Sequence, residues 1–146
     1  MQTVCVKKLH PGAQLPTYGS VEAAGADLYA CLEAPVTIGP GETFWVGTGI
    51  ALEVPKGCAG LVFARSSLGA KRGLAPANKV GVIDSDYRGE IRVVLFNHSA
   101  QPQTISPGER VAQFVIVPVI VPAFMEVDEL TDTDRGTGGF GSTGEY

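Results

Sequence analysis

The sequence predicts a single all-β domain, and three observations carry that prediction. Nineteen glycines and ten prolines among 146 residues break the chain too often for long helices. Valine is the commonest apolar residue, with 17 copies, and it favours strands. Strand-like runs recur at short spacing with turn signals between them, the pattern of a sandwich, jelly roll or barrel. A chain of this length makes one domain with one sizeable core.

The expected strands are Val4–Leu9, Asp27–Leu32, Val36–Ile38, Thr43–Val54, Ala59–Arg65, Lys79–Ile83, Glu90–Asn97, Gln103–Ile105 and Arg110–Val121. Turns fall at Pro11-Gly12, Gly39-Pro40-Gly41, Pro55-Lys56-Gly57, Asp86-Tyr87-Arg88-Gly89 and Ser106-Pro107-Gly108. Several strands, such as the one opening at Arg110, are apolar on both faces. They need cover from a second sheet or another subunit. One stretch reads as helix, Ser66 to Lys71, with Ser66 as N-cap and Gly73 as its end. The expected organisation is a body over 1–125, an acidic connector over 126–134 and a Gly-rich arm over 135–146 that is mobile when alone.

Net charge is −4, which argues against nonspecific nucleic-acid binding. Five acids and no base fall in 126–134, so the body is close to neutral. Cys5, Cys31 and Cys58 are odd in number and widely spaced, which fits a reducing compartment rather than a disulfide framework or zinc site. The N-terminus lacks the layout of a signal peptide, and the longest apolar run holds Pro118 and Pro122. No membrane association is expected, and the expected location is cytoplasmic, with the nucleus as the alternative in a eukaryotic source.

Candidate chemistry lies in four places. Arg65-Ser66-Ser67 ends a strand and opens the short helix, which offers amides, two hydroxyls and a guanidinium to one phosphate. An N-cap beside a surface arginine is the plainer reading. Asp84 ends the apolar strand Val80–Ile83, where a partly desolvated carboxylate suits base duty; a turn-capping aspartate has the same sequence. Asp27, among Ala24, Gly25 and Ala26, is a weak metal-ligand candidate. The tail carries a literal GxGxxG over 136–141, but no βαβ unit surrounds it, so a dinucleotide fingerprint is excluded. Glycine amides, Arg135, Ser142, Thr143 and the isolated Phe140 instead suit a flap over a phosphorylated aromatic ligand, or a plain linker.

Five separated segments, in order, resemble one family, the trimeric dUTPases. They are Ala24–Ala30, Arg65–Gly69, Gly81–Gly89, Gly108–Gln113 and Arg135–Gly144. The resemblance implies a jelly-roll or distorted β-barrel subunit with one short helix, assembled as a homotrimer with shared active sites. It implies Mg²⁺-dependent hydrolysis of dUTP to dUMP and pyrophosphate, which limits uracil incorporation into DNA and supplies dUMP for dTMP synthesis. Asp84 matches the general base acting on water, and Asp27 matches the acid holding Mg²⁺ through water. Arg65, Ser66, Ser67 and Gln113 match phosphate contacts. Asn78 and the expected hairpin Gly81 to Arg92, including Val82 and Ile83, match the uracil pocket. Tyr87 matches the residue under the deoxyribose, and Arg135, Phe140, Gly141, Ser142 and Thr143 match the closing arm. Ser67 stands where many members have Gly, and Ala64 where many have Pro. A dCTP deaminase and a non-enzymatic jelly-roll binding module are the alternatives.

Overall fold

The computed structural model describes residues 3–139. Twelve strands and one helix follow in chain order: β1 (Val6–Lys8), β2 (Thr17–Tyr18), β3 (Ala26–Tyr29), β4 (Val36–Ile38), β5 (Thr43–Gly47), β6 (Ile50–Leu52), β7 (Cys58–Phe63), α1 (Ser66–Arg72), β8 (Leu74–Pro76), β9 (Gly81–Ile83), β10 (Arg92–Asn97), β11 (Gln103–Ile105) and β12 (Arg110–Pro118). A five-stranded sheet runs β2-β3-β12-β7-β9 and a three-stranded sheet runs β5-β10-β8. Two short pairs, β1-β6 and β11-β4, complete a jelly-roll-like arrangement in which every ladder is antiparallel.

Leu28, Val46, Ile50, Leu74, Ile91, Val93, Leu95, Ile105 and Val111 are buried in one core between these sheets. Alternation puts them there. In β10, Val93, Leu95 and Asn97 face inward, while Arg92, Val94 and Phe96 face the other side. Buried Asn97 is satisfied by donating to the Ile38 and Gln101 carbonyls and accepting from Ser99.

Several expectations change in detail. The single run Thr43–Val54 is two strands, because Gly49 adopts φ +67° and turns the chain between β5 and β6. The helix N-cap is Arg65, in extended conformation, so Ser66 is the first helical residue rather than the cap. Gly73 ends the helix in left-handed conformation, as its sequence position implies. The last strand stops at Pro118 rather than Val121, and no helix or strand follows it among the described residues. Segment 81–92 is not a hairpin. Its first strand, β9, pairs with β7, whereas β10 pairs with β5 and β8, so the loop between them passes from one sheet to the other.

Candidate active site

The first group of candidate residues gathers where β3, β12 and the start of α1 meet. Asp27 lies directly opposite Gln113 in the β3–β12 ladder. Its carboxylate is buried and holds two guanidiniums: Arg65 Nε donates to Oδ1 at 2.6 Å and Arg110 Nη1 donates to Oδ2 at 3.2 Å. A register shift between Arg110 and Ala112 marks a bulge, a device that re-aims a strand side chain. Arg65 Nη1 also donates to Ser67 Oγ at 3.1 Å, which ties the guanidinium to the first turn of α1. Gln113 Nε2 donates to the Ala64 carbonyl at 2.9 Å. Gly25 leaves room for this side chain, since a Cβ there would stand 2.7 Å from Gln113 Oε1. Asp27, Arg65, Ser66, Arg110 and Gln113 line one open hollow of about 220 Å³.

The second group surrounds Asp84. A cleft of about 360 Å³ is lined by Trp45, Val82, Ile83, Asp84, Tyr87, Glu90 and Arg92. The Tyr87 hydroxyl donates to the Glu90 carbonyl at 3.0 Å, which lays the ring across its own loop. Gly89 permits this, because a Cβ there would collide with that hydroxyl. The Glu90 carboxylate is fixed at both oxygens, accepting from the Gly49 amide at 2.9 Å and from Arg92 Nε at 2.8 Å. Asn78 and Gly81 border a smaller adjoining hollow of about 110 Å³ that shares Val82, Ile83 and Arg92 with the larger cleft. Asp84 itself is exposed, so the desolvation expected at this strand end is not supplied by the chain's own residues.

One chain does not bring the two groups together. Ile83 pairs with Gly60 on β7, which sets Asp84 level with Ala59, while Arg65 follows the far end of the same strand. Six residues of strand separate those levels, roughly 20 Å at about 3.3 Å per residue. Arg135 lies in a turn where its Nε donates to the Gly138 carbonyl at 2.8 Å, in neither group. Phe140, Gly141, Ser142 and Thr143 lie outside the described residues.

The dUTPase family model matches residues 12–144. A deoxyuridine 5'-triphosphate nucleotidohydrolase from Syntrophotalea carbinolica is 48% identical over 142 residues, 97% of each chain. The chain belongs to the dUTPase family. A second such relative, from a Janthinobacterium species, is 47% identical over the full length of both chains. Among solved structures, a mutant dUTPase of Staphylococcus bacteriophage 80alpha with dUpNHpp superposes with a TM-score of 0.90 at 27% identity, covering 99% of each chain. A mutant dUTPase of phage phi11 of S. aureus, described as revealing the coordination of a structural Mg(II) ion, matches with a TM-score of 0.77 at 25% identity. It covers 88% of this chain and 98% of its own.

Against this dUTPase frame, three residues escaped the sequence reading. Arg110 stands in a segment singled out for its likeness, but only the ion pair across β12 and β3 shows that it grips Asp27. Glu90 follows the Asp84 loop, and its engagement with Gly49 depends on a fold-back from β5 to β6 that no local pattern announces. Trp45 lies in the apolar run Phe44-Trp45-Val46, which reads as core, yet it faces outward.

Proposed function

We infer that this chain hydrolyses dUTP and water to dUMP and pyrophosphate. The observation that carries the reading is the Asp84 cleft, with Tyr87 beside the carboxylate, in a chain whose relatives over nearly full length bear the name of that activity. Asp84 positions a water and takes its proton as the water attacks the α-phosphorus. Such positioning and charge stabilisation supply most of the catalysis in phosphoryl chemistry. Tyr87 packs under the deoxyribose. Backbone groups of Gly81, Val82 and Ile83, with Asn78 and Arg92 beside them, present hydrogen-bonding partners to uracil. Buried hydrogen bonds of that kind reject a mismatched base by about 10⁴–10⁵. Arg65, Ser66, Ser67 and Gln113 hold the phosphates.

The donor set fits Mg²⁺ in one way only. No group of three or more His, Cys, Asp and Glu side chains gathers among the described residues, so there is no protein cage. Asp27 already spends both oxygens on arginines, so it would hold the ion through water. Mg²⁺ keeps several waters and sits on substrate phosphates with one or two carboxylates nearby. When bound it would neutralise phosphate charge.

The active enzyme is a homotrimer with shared sites. Reacting atoms must approach to about 3–3.5 Å, and the roughly 20 Å along β7 forbids Asp84 and Arg65 of one chain from serving the same phosphate. A second copy supplies the missing half. The segment after β12 supports this, since Ile120, Val121, Phe124, Met125 and Leu130 are all exposed, too many apolar groups to be left in water. Residues 1–125 are the body, 126–134 connect, and 135–146 form the arm. In that arm, Arg135, Phe140, Gly141, Ser142 and Thr143 close over uracil and the terminal phosphates.

A deaminase reading requires a protonatable acid against the base. Besides Asp84, the acid in the cleft is Glu90, and both of its oxygens already accept hydrogen bonds, from Arg92 Nε and the Gly49 amide. The test is pyrophosphate release from dUTP, dCTP, dTTP and UTP, with Mg²⁺ and with chelator, for the wild type and Asp84→Asn. dUTP alone should be a good substrate, and Asp84→Asn should lose at least about 10²-fold in kcat, the lower reach of general-base catalysis, while still binding nucleotide. Conversion of dCTP to dUTP, or a fully active Asp84→Asn, sinks the assignment.

A further inference from the structure

The sole tryptophan of the chain is spent on the outside. Trp45 is 64% exposed in β5, and beside it stand Val82 at 62% and Tyr87 at 44%. Together they form an exposed apolar patch, and all three line a single cleft with Asp84, Glu90 and Arg92. The placement follows from register. Trp45 pairs with Val94 and Gly47 pairs with Arg92, so Trp45 and Arg92 are diagonal neighbours across the β5–β10 ladder. Two residues along β5 from Trp45, Gly47 leaves a gap in the row of side chains, and the Glu90 carboxylate fills it. A Cβ at position 47 would stand 2.7 Å from Glu90 Oε1. Indole and phenol therefore both line the cleft, with the immobilised Glu90 carboxylate lining it beside them.

We propose that Trp45 is a ligand-contacting residue of this site, an aromatic wall that packs on the nucleoside part of the substrate from the β5 side of the cleft. The proposal rests on the dUTP reading above. The indole offers a flat apolar face and one N–H donor, which suits the carbon face of a deoxyribose or the π-face of a pyrimidine. It bears no group able to move a proton or hold a phosphate, so it acts on binding and not on the chemical step. Its loss should therefore appear in KM rather than in kcat, unlike the loss of Asp84.

The experiment uses the full chain. Because Trp45 is the sole tryptophan, intrinsic fluorescence reports on that ring alone. Titration with dUMP and with a non-hydrolysable imido analogue of dUTP should change the emission, with a midpoint that agrees with calorimetry. Trp45→Ala should raise KM for dUTP by about 3- to 10-fold, the range of one aromatic contact, with kcat held within about two-fold. Trp45→Phe should recover most of that loss. The ring lies outside the core, so melting temperatures of both variants should stay near wild type. A wild-type enzyme that binds the analogue by calorimetry with no change in emission overturns the proposal, as does an unchanged KM in Trp45→Ala. Either result leaves the dUTP reading standing. A wild-type chain that neither binds nor cleaves dUTP overturns both.

Discussion

Replacing Asp27 with Asn tests whether the phosphate-turn half of the site is built on charge. The Asp27 side chain is 10% exposed and its carboxylate accepts from two guanidiniums, so the substitution keeps its shape and removes its charge. Asn Oδ1 still accepts from Arg65 Nε, but that bond falls from a charge-assisted one to an ordinary one, a loss of about 1 kcal/mol. The amide NH₂ then faces Arg110 Nη1 donor to donor. The Arg110 side chain is 50% exposed, so that loss is discounted to about 0.5 kcal/mol. The Arg65 side chain is only 20% exposed and keeps a cation without a counter-charge, which adds about 1 kcal/mol. The total is about 2–3 kcal/mol. At about 2–4 °C per kcal/mol for a domain of this size, the melting temperature should drop by about 4–12 °C. Calorimetry or urea melts in chelator keep metal out of the measurement, at one fixed protein concentration because assembly contributes to apparent stability. Activity should fall with stability, since a misaimed Arg65 no longer meets the phosphate squarely. A midpoint unchanged within about 1 °C would refute the view that Asp27 organises these arginines.

Two further outcomes follow from other parts of the chain. Deleting residues 135–146 should lower dUTP turnover at least about 10²-fold by removing the closing arm, while the melting temperature of the body stays put; an unchanged rate contradicts the arm. Lys79 holds φ 65°, the left-handed region that disfavours residues with a Cβ, so Lys79→Gly should stabilise the fold by up to about 1 kcal/mol in urea melts. A clear loss of stability would mean that the lysine side chain is held in place by something worth more than the strain.

What the sequence reveals of the fold follows its hydrophobic alternation. Val36–Ile38 and Gln103–Ile105 are strands with the expected bounds, because a turn stands on each side of them. The two strands that went unseen lack that signal for physical reasons. Thr17–Tyr18 is a two-residue edge strand with both side chains exposed, so it has no buried face to betray it. Leu74–Pro76 includes a proline that argues against a strand, and it is tolerated at the margin of the β5-β10-β8 sheet, where only one neighbour must be paired. The Thr43–Val54 run reads as one strand because the turn at Thr48-Gly49 is flanked by apolar residues on both sides.

The site divides along the same line. Asp84, Tyr87, Arg65, Ser66 and Gln113 stand in short motifs whose chemistry is local, and the chain sorts them into two hollows. Arg110, Glu90 and Trp45 act through geometry that is not local. A bulge turns Arg110, a sheet-to-sheet loop brings Glu90 under Gly49, and the choice of which β5 face meets the core turns Trp45 outward. That choice is settled by Val46, which is completely buried and forces its neighbour to the opposite face. One residue of slip would bury the indole and expose the valine, emptying a core position and filling the cleft wall with an aliphatic side chain. The burial of Val46 and the exposure of Trp45 are therefore one structural fact, and a core substitution at Val46 that loosens the strand register should disturb nucleotide binding through Trp45 without touching the nucleotide.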